Sequence, residues 1–206
     1  MGRLLLSTRP KRSIAAIILA AGDSIRMGSP KALLPLGNQT FLGKIIADYR
    51  RIDCQPVIAV AGAHFDAIRN LLDNSDVLLL HNPDPDRGPF SSLKIAVKSL
   101  PPACQGFFVH PVDHPAINIR TLKQIFTAWR GEARQALKPT FEGRGGHPVL
   151  LGREWIQNIA RAPISDNLRS LLRQSPADLQ LVPVADEMIL LNVNHPDDLE
   201  KLSPHV

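Results

Sequence analysis

The stretch LAAGDSIRMGSPK, residues 19–31, places two cations, Arg26 and Lys31, among glycines directly after an apolar run. Gly22 and Gly28 allow the backbone to bend and to approach a ligand closely. Backbone N–H groups in such a bend can cradle phosphate oxygens, and the two cations add charge. The same residues fit a surface turn whose arginine and lysine meet only solvent, and the loop alone does not choose. Its glycines stand as G-x-x-x-x-x-G, Lys31 comes three residues after the second, and Ala32 follows it. Neither G-x-x-x-x-G-K-[ST] nor G-x-G-x-x-G is met there.

Other chemically capable residues also border apolar runs. Asp113 follows the run GFFVH; it is a turn residue or, together with the loop, a magnesium ligand, since magnesium takes one or two carboxylates plus phosphate oxygens. His114 and His147 each stand alone in their segments, His147 at the end of a glycine-rich loop. Each fits a hydrogen-bonded structural histidine as well as a site residue. Asn192 and Asn194 precede Pro196, where they either stabilise a turn or face a ligand.

These groups need elements to hold them. Strand-like runs over 14–19, 56–61, 77–80 and 106–109 alternate with helical spacing over 40–52, 65–72 and 91–100. That order predicts an α/β fold: a Rossmann-like, mostly parallel sheet with helices on both faces. Consecutive apolar residues, as in IAAIIL and VIAVAG, suit strands buried on both faces. Ser91 or Ser92 is read as the cap of one helix, and Asn118 as the cap of another starting near Ile119. Strands over 135–141 and 147–151 are expected around the loop EGRGG, then helices over 153–160 and 166–172. A strand pair over 179–184 and 188–193 and a helix over 196–202 close the chain. Ligands of an open parallel sheet sit beyond the carboxyl ends of the strands, which is where residues 20–31 and Asp113 fall.

Composition narrows the class. The 206 residues are 44% hydrophobic and 21% charged, as in ordinary globular proteins. No repeat or low-complexity linker interrupts them, so a single domain over 14–206 is expected after a basic extension, 1–13, with a partner-binding arm as that segment's alternative. No apolar stretch approaches the roughly 18 residues that cross a bilayer. The three leucines near the start are too few for a signal peptide's apolar region. Cys54 and Cys104 lack metal-binding spacing, which suits a reduced, cytoplasmic setting. The net charge is +5, but the basic residues are spread out and aromatics make up only 5%. A stacking platform for nucleic acid is therefore not expected; an anionic small-molecule substrate or a merely basic surface remains.

The loop resembles the L-A-A/G-G-x-S-x-R-M-G-x-x-K signature of the MobA-like nucleotidyltransferases. Leu19, Ala20, Ala21, Gly22, Ser24, Arg26, Met27, Gly28 and Lys31 all match. HNPDPDRGPFSSLKIAV at 81–97, PVDHPAI at 111–117, GGHPVLL at 145–151 and LNVNHPDDL at 191–199 are similar to further segments of that family. The resemblance implies a nucleotide-diphospho-sugar transferase-like fold. It implies Arg26 and Lys31 as phosphate ligands, with Leu19, Ala20, Ala21, Gly22, Ser24, Gly28, Gly88 and Ser92 along the nucleotide. It makes Asp113 a magnesium ligand with Asn192 or Asn194 beside it, and places His114, Gly146 and His147 on the acceptor side. Val112 stands where the family often has glycine, and the asparagines stand where relatives often have aspartate. Ala21, a second glycine in the guanylyltransferase branch, and the G-H-P segment are similar to the cytidylyltransferase-like branch.

The reaction so implied moves CMP from CTP to a phosphorylated acceptor, the molybdenum cofactor, and releases pyrophosphate with Mg2+ as cofactor. The acceptor phosphate is already anionic, so positioning and charge neutralisation carry most of the catalysis. Arg26, Lys31 and Asp113 are the catalytic candidates, and a molybdoenzyme is the expected recipient of the product. Two rivals stay open: a nucleotidyltransferase for a sugar or alcohol phosphate, and a non-catalytic protein that binds and delivers a cofactor.

Overall fold

Strand β1 (Ile14–Ala20) is apolar at every position, and all but Leu19 are buried. It belongs to a computed structural model that describes residues 13–22 and 29–205. A hairpin of β2 (Pro35–Leu36) and β3 (Gln39–Thr40) leads into α1 (Phe41–Arg51). Then β4 (Val57–Ala61), α2 (Phe65–Leu71), β5 (Leu78–His81), α3 (Pro89–Val97), β6 (Gly106–Pro111) and α4 (Ile119–Ala128) alternate. The second half holds β7 (Ala136–Phe141), β8 (Arg144–Gly145), β9 (Val149–Gly152), α5 (Glu154–Arg161), α6 (Leu168–Gln174) and β10 (Leu179–Pro183).

The main sheet runs β10-β7-β9-β6-β1-β4-β5, with β8 paired to β7. β1 is parallel to β4 and β6, β4 to β5, and β10 to β7. β9 runs against both neighbours, β6 and β7. One face of the sheet packs Ala16 and Ile18 against Phe41, Ile45 and Tyr49 of α1 and Leu122 and Ile125 of α4. The other packs Ala15 and Ile17 with Phe90 and Leu93 of α3 and Trp155 and Ile159 of α5. Each large apolar side chain taken from water contributes roughly 1.5–3 kcal/mol, so burying both faces strongly fixes the strand register.

The reversal of β9 matters for the site. The carboxyl ends of the parallel strands gather at one edge. Because β9 runs the other way, it presents its amino end there, and His147 comes two residues before it.

Local signals explain most helix starts. The Thr40 side chain accepts from the Gly43 amide, and that of Asn118 from Arg120, so Asn118 caps α4 as its type suggests. The α3 start differs from the expectation at Ser91 or Ser92. Gly88 is the cap, at φ +83°, and Pro89 opens the helix, a position that needs no amide hydrogen. The closing strand pair is also corrected. β10 forms, but parallel to β7, and Met188–Val193 is not a strand. Its apolar residues Met188, Ile189 and Val193 are buried by an irregular segment that crosses the carboxyl edge of the sheet. The last segment, Pro196–His205, is 3-10 rather than α-helical.

Candidate active site

A cleft of about 620 Å³ opens at the carboxyl ends of β1 and β6. Leu19, Ala21 and Gly22 line it from the end of β1, and Lys31 from beyond the loop. Gly88 and Ser92 line it from the start of α3, and Asp113 and His114 from the end of β6. His147, Asn192 and Asn194 complete the wall. Two expected site residues are elsewhere: Ala20 is buried in the core, and Gly146 packs under Ile189. A Cβ on Gly146 would lie 2.3 Å from the Ile189 carbonyl oxygen, so this glycine serves close backbone approach. Ser24, Arg26 and Gly28 lie outside the described residues.

The cleft floor is assembled from distant parts of the chain. The Lys31 ammonium donates to Asn194 Oδ1 at 2.6 Å and stands 3.8 Å from Asp113 Oδ2. The amide of Val193 donates to the Asp113 carbonyl at 2.8 Å, and the amide of His147 to that of Ile189 at 3.0 Å. The Asp198 carboxylate accepts from the amides of Asn194 and His195, each at 3.0 Å, and shapes the turn that carries Asn194. Asn82, not singled out from sequence although it stands in the HNP segment, organises the far wall. Its amide donates to Ser91 Oγ and Ser92 Oγ at 2.8 and 2.9 Å, and its Oδ1 accepts from the Asp84 amide.

Burial pushes the Asp113 carboxyl above its ordinary value; Lys31, His147 and a hydrogen bond from Asn192 pull the other way. One carboxylate oxygen, Oδ1, is buried without a hydrogen-bond partner. Such an atom is costly unless a cation or donor reaches it. Among the described residues no three acidic, histidine or cysteine side chains cluster as a protein-only metal cage. A lone carboxylate beside two asparagine side chains instead suits a hard cation that takes its other ligands from phosphate and water. The donor set therefore fits a magnesium-like ion.

The two cleft histidines are neutral. Burial lowers His114 and His147 to about 4, and their rings stand 5.0 Å apart. Behind them His110 is lowered to about 3, again by burial. Its Nε2 lies 2.9 Å from the His114 carbonyl, which can only accept, so His110 donates there and its Nδ1 accepts from the Tyr49 hydroxyl at 3.0 Å. This buried chain fixes the backbone beside Asp113.

Residues 16–179 match the profile of the MobA-like NTP transferase domain. The chain belongs to the MobA-like NTP transferase family. As a MobA-like protein it is a nucleotidyltransferase. It is 31% identical over 187 residues to the molybdenum cofactor cytidylyltransferase of Escherichia coli, covering 90% of this chain and 93% of that one. It is also 31% identical over 198 residues to a probable molybdenum cofactor guanylyltransferase of Rhodopirellula baltica, covering 90% of each. A Mycobacterium tuberculosis protein crystallised with manganese has the same fold, with a TM-score of 0.70 at 24% identity, over 94% of this chain and all of that one. No helix among the described residues is long and apolar enough to cross a membrane.

The His110 chain yields a pH test. Its folded pKa is depressed, so the unfolded chain takes up the proton first as pH falls. Its stabilising effect is whole above about 6.5 and is lost towards about 3. Between pH 7 and pH 5 this one group should cost about 2 kcal/mol of stability. Urea unfolding at both pH values should show a smaller loss in His110→Gln than in the wild type. Equal losses would show that His110 is not held neutral in the folded state.

Proposed function

We propose that this MobA-like protein transfers CMP from CTP to the molybdenum cofactor with release of pyrophosphate, residues 14–206 acting as the catalytic unit. The observation that carries the reading is the cleft floor: Lys31, Asp113 and Asn194 converge at the carboxyl edge of the sheet, where this fold class binds nucleotides. The cytidylyltransferase relative, matched over nearly its whole length, supports the choice of reaction.

Lys31 is placed to neutralise phosphate charge as pyrophosphate departs, with Arg26, Ser24 and Gly28 assigned to the same triphosphate. Gly88 and Ser92 line the nucleotide side of the cleft. Asp113 and Asn192 would hold Mg2+, and Asn194 orients Lys31 through its 2.6 Å contact. Bound magnesium would supply Lewis-acid charge stabilisation at the phosphates. Neutral His114 and His147 form the acceptor wall, where they add no positive charge but can offer hydrogen bonds. The acceptor's phosphate needs no strong base, so preorganised charge does most of the work.

The base preference is assigned to Ala21, which lines the cleft with its backbone pinned. A Cβ on Gly62 would lie 2.3 Å from the Ala21 carbonyl oxygen, so β4 and the end of β1 approach there as closely as a glycine allows. The methyl of Ala21 therefore cannot retreat, and it favours the smaller pyrimidine.

Asp113→Asn should lower kcat at least 100-fold while leaving the Kd of CTP within a few-fold, because a contact made mainly in the transition state appears in kcat. Pyrophosphate release at saturating magnesium measures it, and near-normal turnover would remove Asp113 from the metal. Ala21→Gly should narrow the CTP-over-GTP ratio in kcat/KM without reversing it, since one methyl is worth only about 1–3 kcal/mol. A wild type that prefers GTP would instead support the guanylyltransferase reading.

A further inference from the structure

A second cavity, about 500 Å³, adjoins the cleft and shares Leu19, Pro89, Pro111 and His147 with it. Its walls are apolar: Phe90 and Leu93 of α3, Val149 of β9 and Leu172 of α6. Two cations break that surface, Lys138 of β7 and Arg169 of α6. Lys138 is half-buried. Among the described residues no carboxylate forms an ion pair with Lys138, Arg169 or the neighbouring Arg173. Burial, then Arg169 and Arg173, push the Lys138 ammonium below its ordinary range. An uncompensated cation beside other cations in an apolar pocket is stabilised when an anion enters.

The local chain makes room for this lysine. A Cβ on Gly145 would lie 2.6 Å from Lys138 Cε and 3.1 Å from its Nζ. The side chain of Lys138 therefore lies against the bare backbone of β8, and any larger residue at 145 would displace it. Neither residue belongs to the cleft floor around Lys31 and Asp113.

We propose that this cavity is an acceptor subsite, in which Lys138 and Arg169 hold an anionic group carried on the acceptor's apolar body, separate from the phosphate that receives the nucleotidyl group. The proposal rests on the nucleotidyltransferase reading above for what the ligand does, but not for its binding. The apolar walls take an apolar body, and the cations select one that carries a second negative charge. His147, which borders both cavities, is passed by a ligand whose reacting phosphate lies in the cleft. A small alcohol phosphate, with no second anion, leaves the subsite unused.

The binding test uses 2-naphthoate as a flat apolar anion and 2-naphthalenemethanol as its neutral counterpart, titrated by calorimetry into the wild type, Lys138→Gln and Arg169→Gln. The naphthoate Kd should rise about tenfold in each variant, while the alcohol binds all three alike and the Kd of Mg-CTP stays within twofold. Gly145→Ala, which keeps every charge but displaces Lys138, should also weaken naphthoate. In turnover, the KM of the molybdenum cofactor should rise at least fivefold in Lys138→Gln with the KM of CTP unchanged. Unchanged naphthoate affinity in both charge variants overturns the subsite, and so does a parallel rise in the Kd of Mg-CTP, which would give these cations to the nucleotide. If the wild type releases no pyrophosphate from CTP and the molybdenum cofactor, the CMP-transfer reading falls, and the naphthoate titration alone still decides the subsite.

Discussion

The amide of Val193 donates to the carbonyl of Asp113, and through that bond the end of the chain is tied to the end of β6. A sheet covered on both faces can display polar chemistry only at its strand ends. The strand ends alone supply Asp113 and the loop after β1. The crossing segment from Glu187 to Asn194 adds the amides, and its buried Ile189 and Val193 give it an apolar anchor in the core. Because Asn194 accepts from Lys31 at 2.6 Å, the cation following the first loop is oriented by a residue near the far end of the chain. Asp198 braces that arrangement from outside by fixing two successive amides.

Charge is distributed unevenly across this edge, and the unevenness separates tasks. The cleft floor sets one cation against one half-buried carboxylate, an arrangement that can take a metal and a polyphosphate together. Beside it the two histidines are kept neutral by burial. Beyond them Lys138 and Arg169 again present positive charge, now among apolar walls. A ligand crossing from one cavity to the other meets cation, neutral ring and cation in turn. Such a sequence distinguishes an acceptor with two anionic ends from one with a single phosphate.

Much of this was legible in the sequence where local chemistry and fold agree. The consecutive apolar residues of β1 and β4 announce burial on both faces, and Asp113 falls just past the end of β6 as a ligand-edge residue should. The family resemblance puts Asn192 and Asn194 on the metal side without choosing between them. The hydrogen bonds divide them, one to Asp113 and one with Lys31. What sequence missed has physical causes. Met188–Val193 has the apolar content of a strand but spends it on anchoring a crossing segment. The start of α3 was signalled by Gly88 and Pro89, a stronger pair than the serines that follow. Gly146 stood in a ligand-like loop, yet its smallness serves packing under Ile189. Lys138 and Arg169 meet only through the tertiary fold, so no spacing could reveal them.

A double-mutant cycle on Lys31 and Asn194 is the most direct measurement of whether the closing segment builds the nucleotide site. Calorimetric Kd values for Mg-CTP are needed for the wild type, Lys31→Met, Asn194→Ala and the double variant. If Asn194 acts through Lys31, each single change weakens binding and the double variant loses less than the sum, by about 0.5–3 kcal/mol. Losses that add to within about 0.3–0.5 kcal/mol would mean that the two residues act independently, and would contradict a site assembled by the end of the chain.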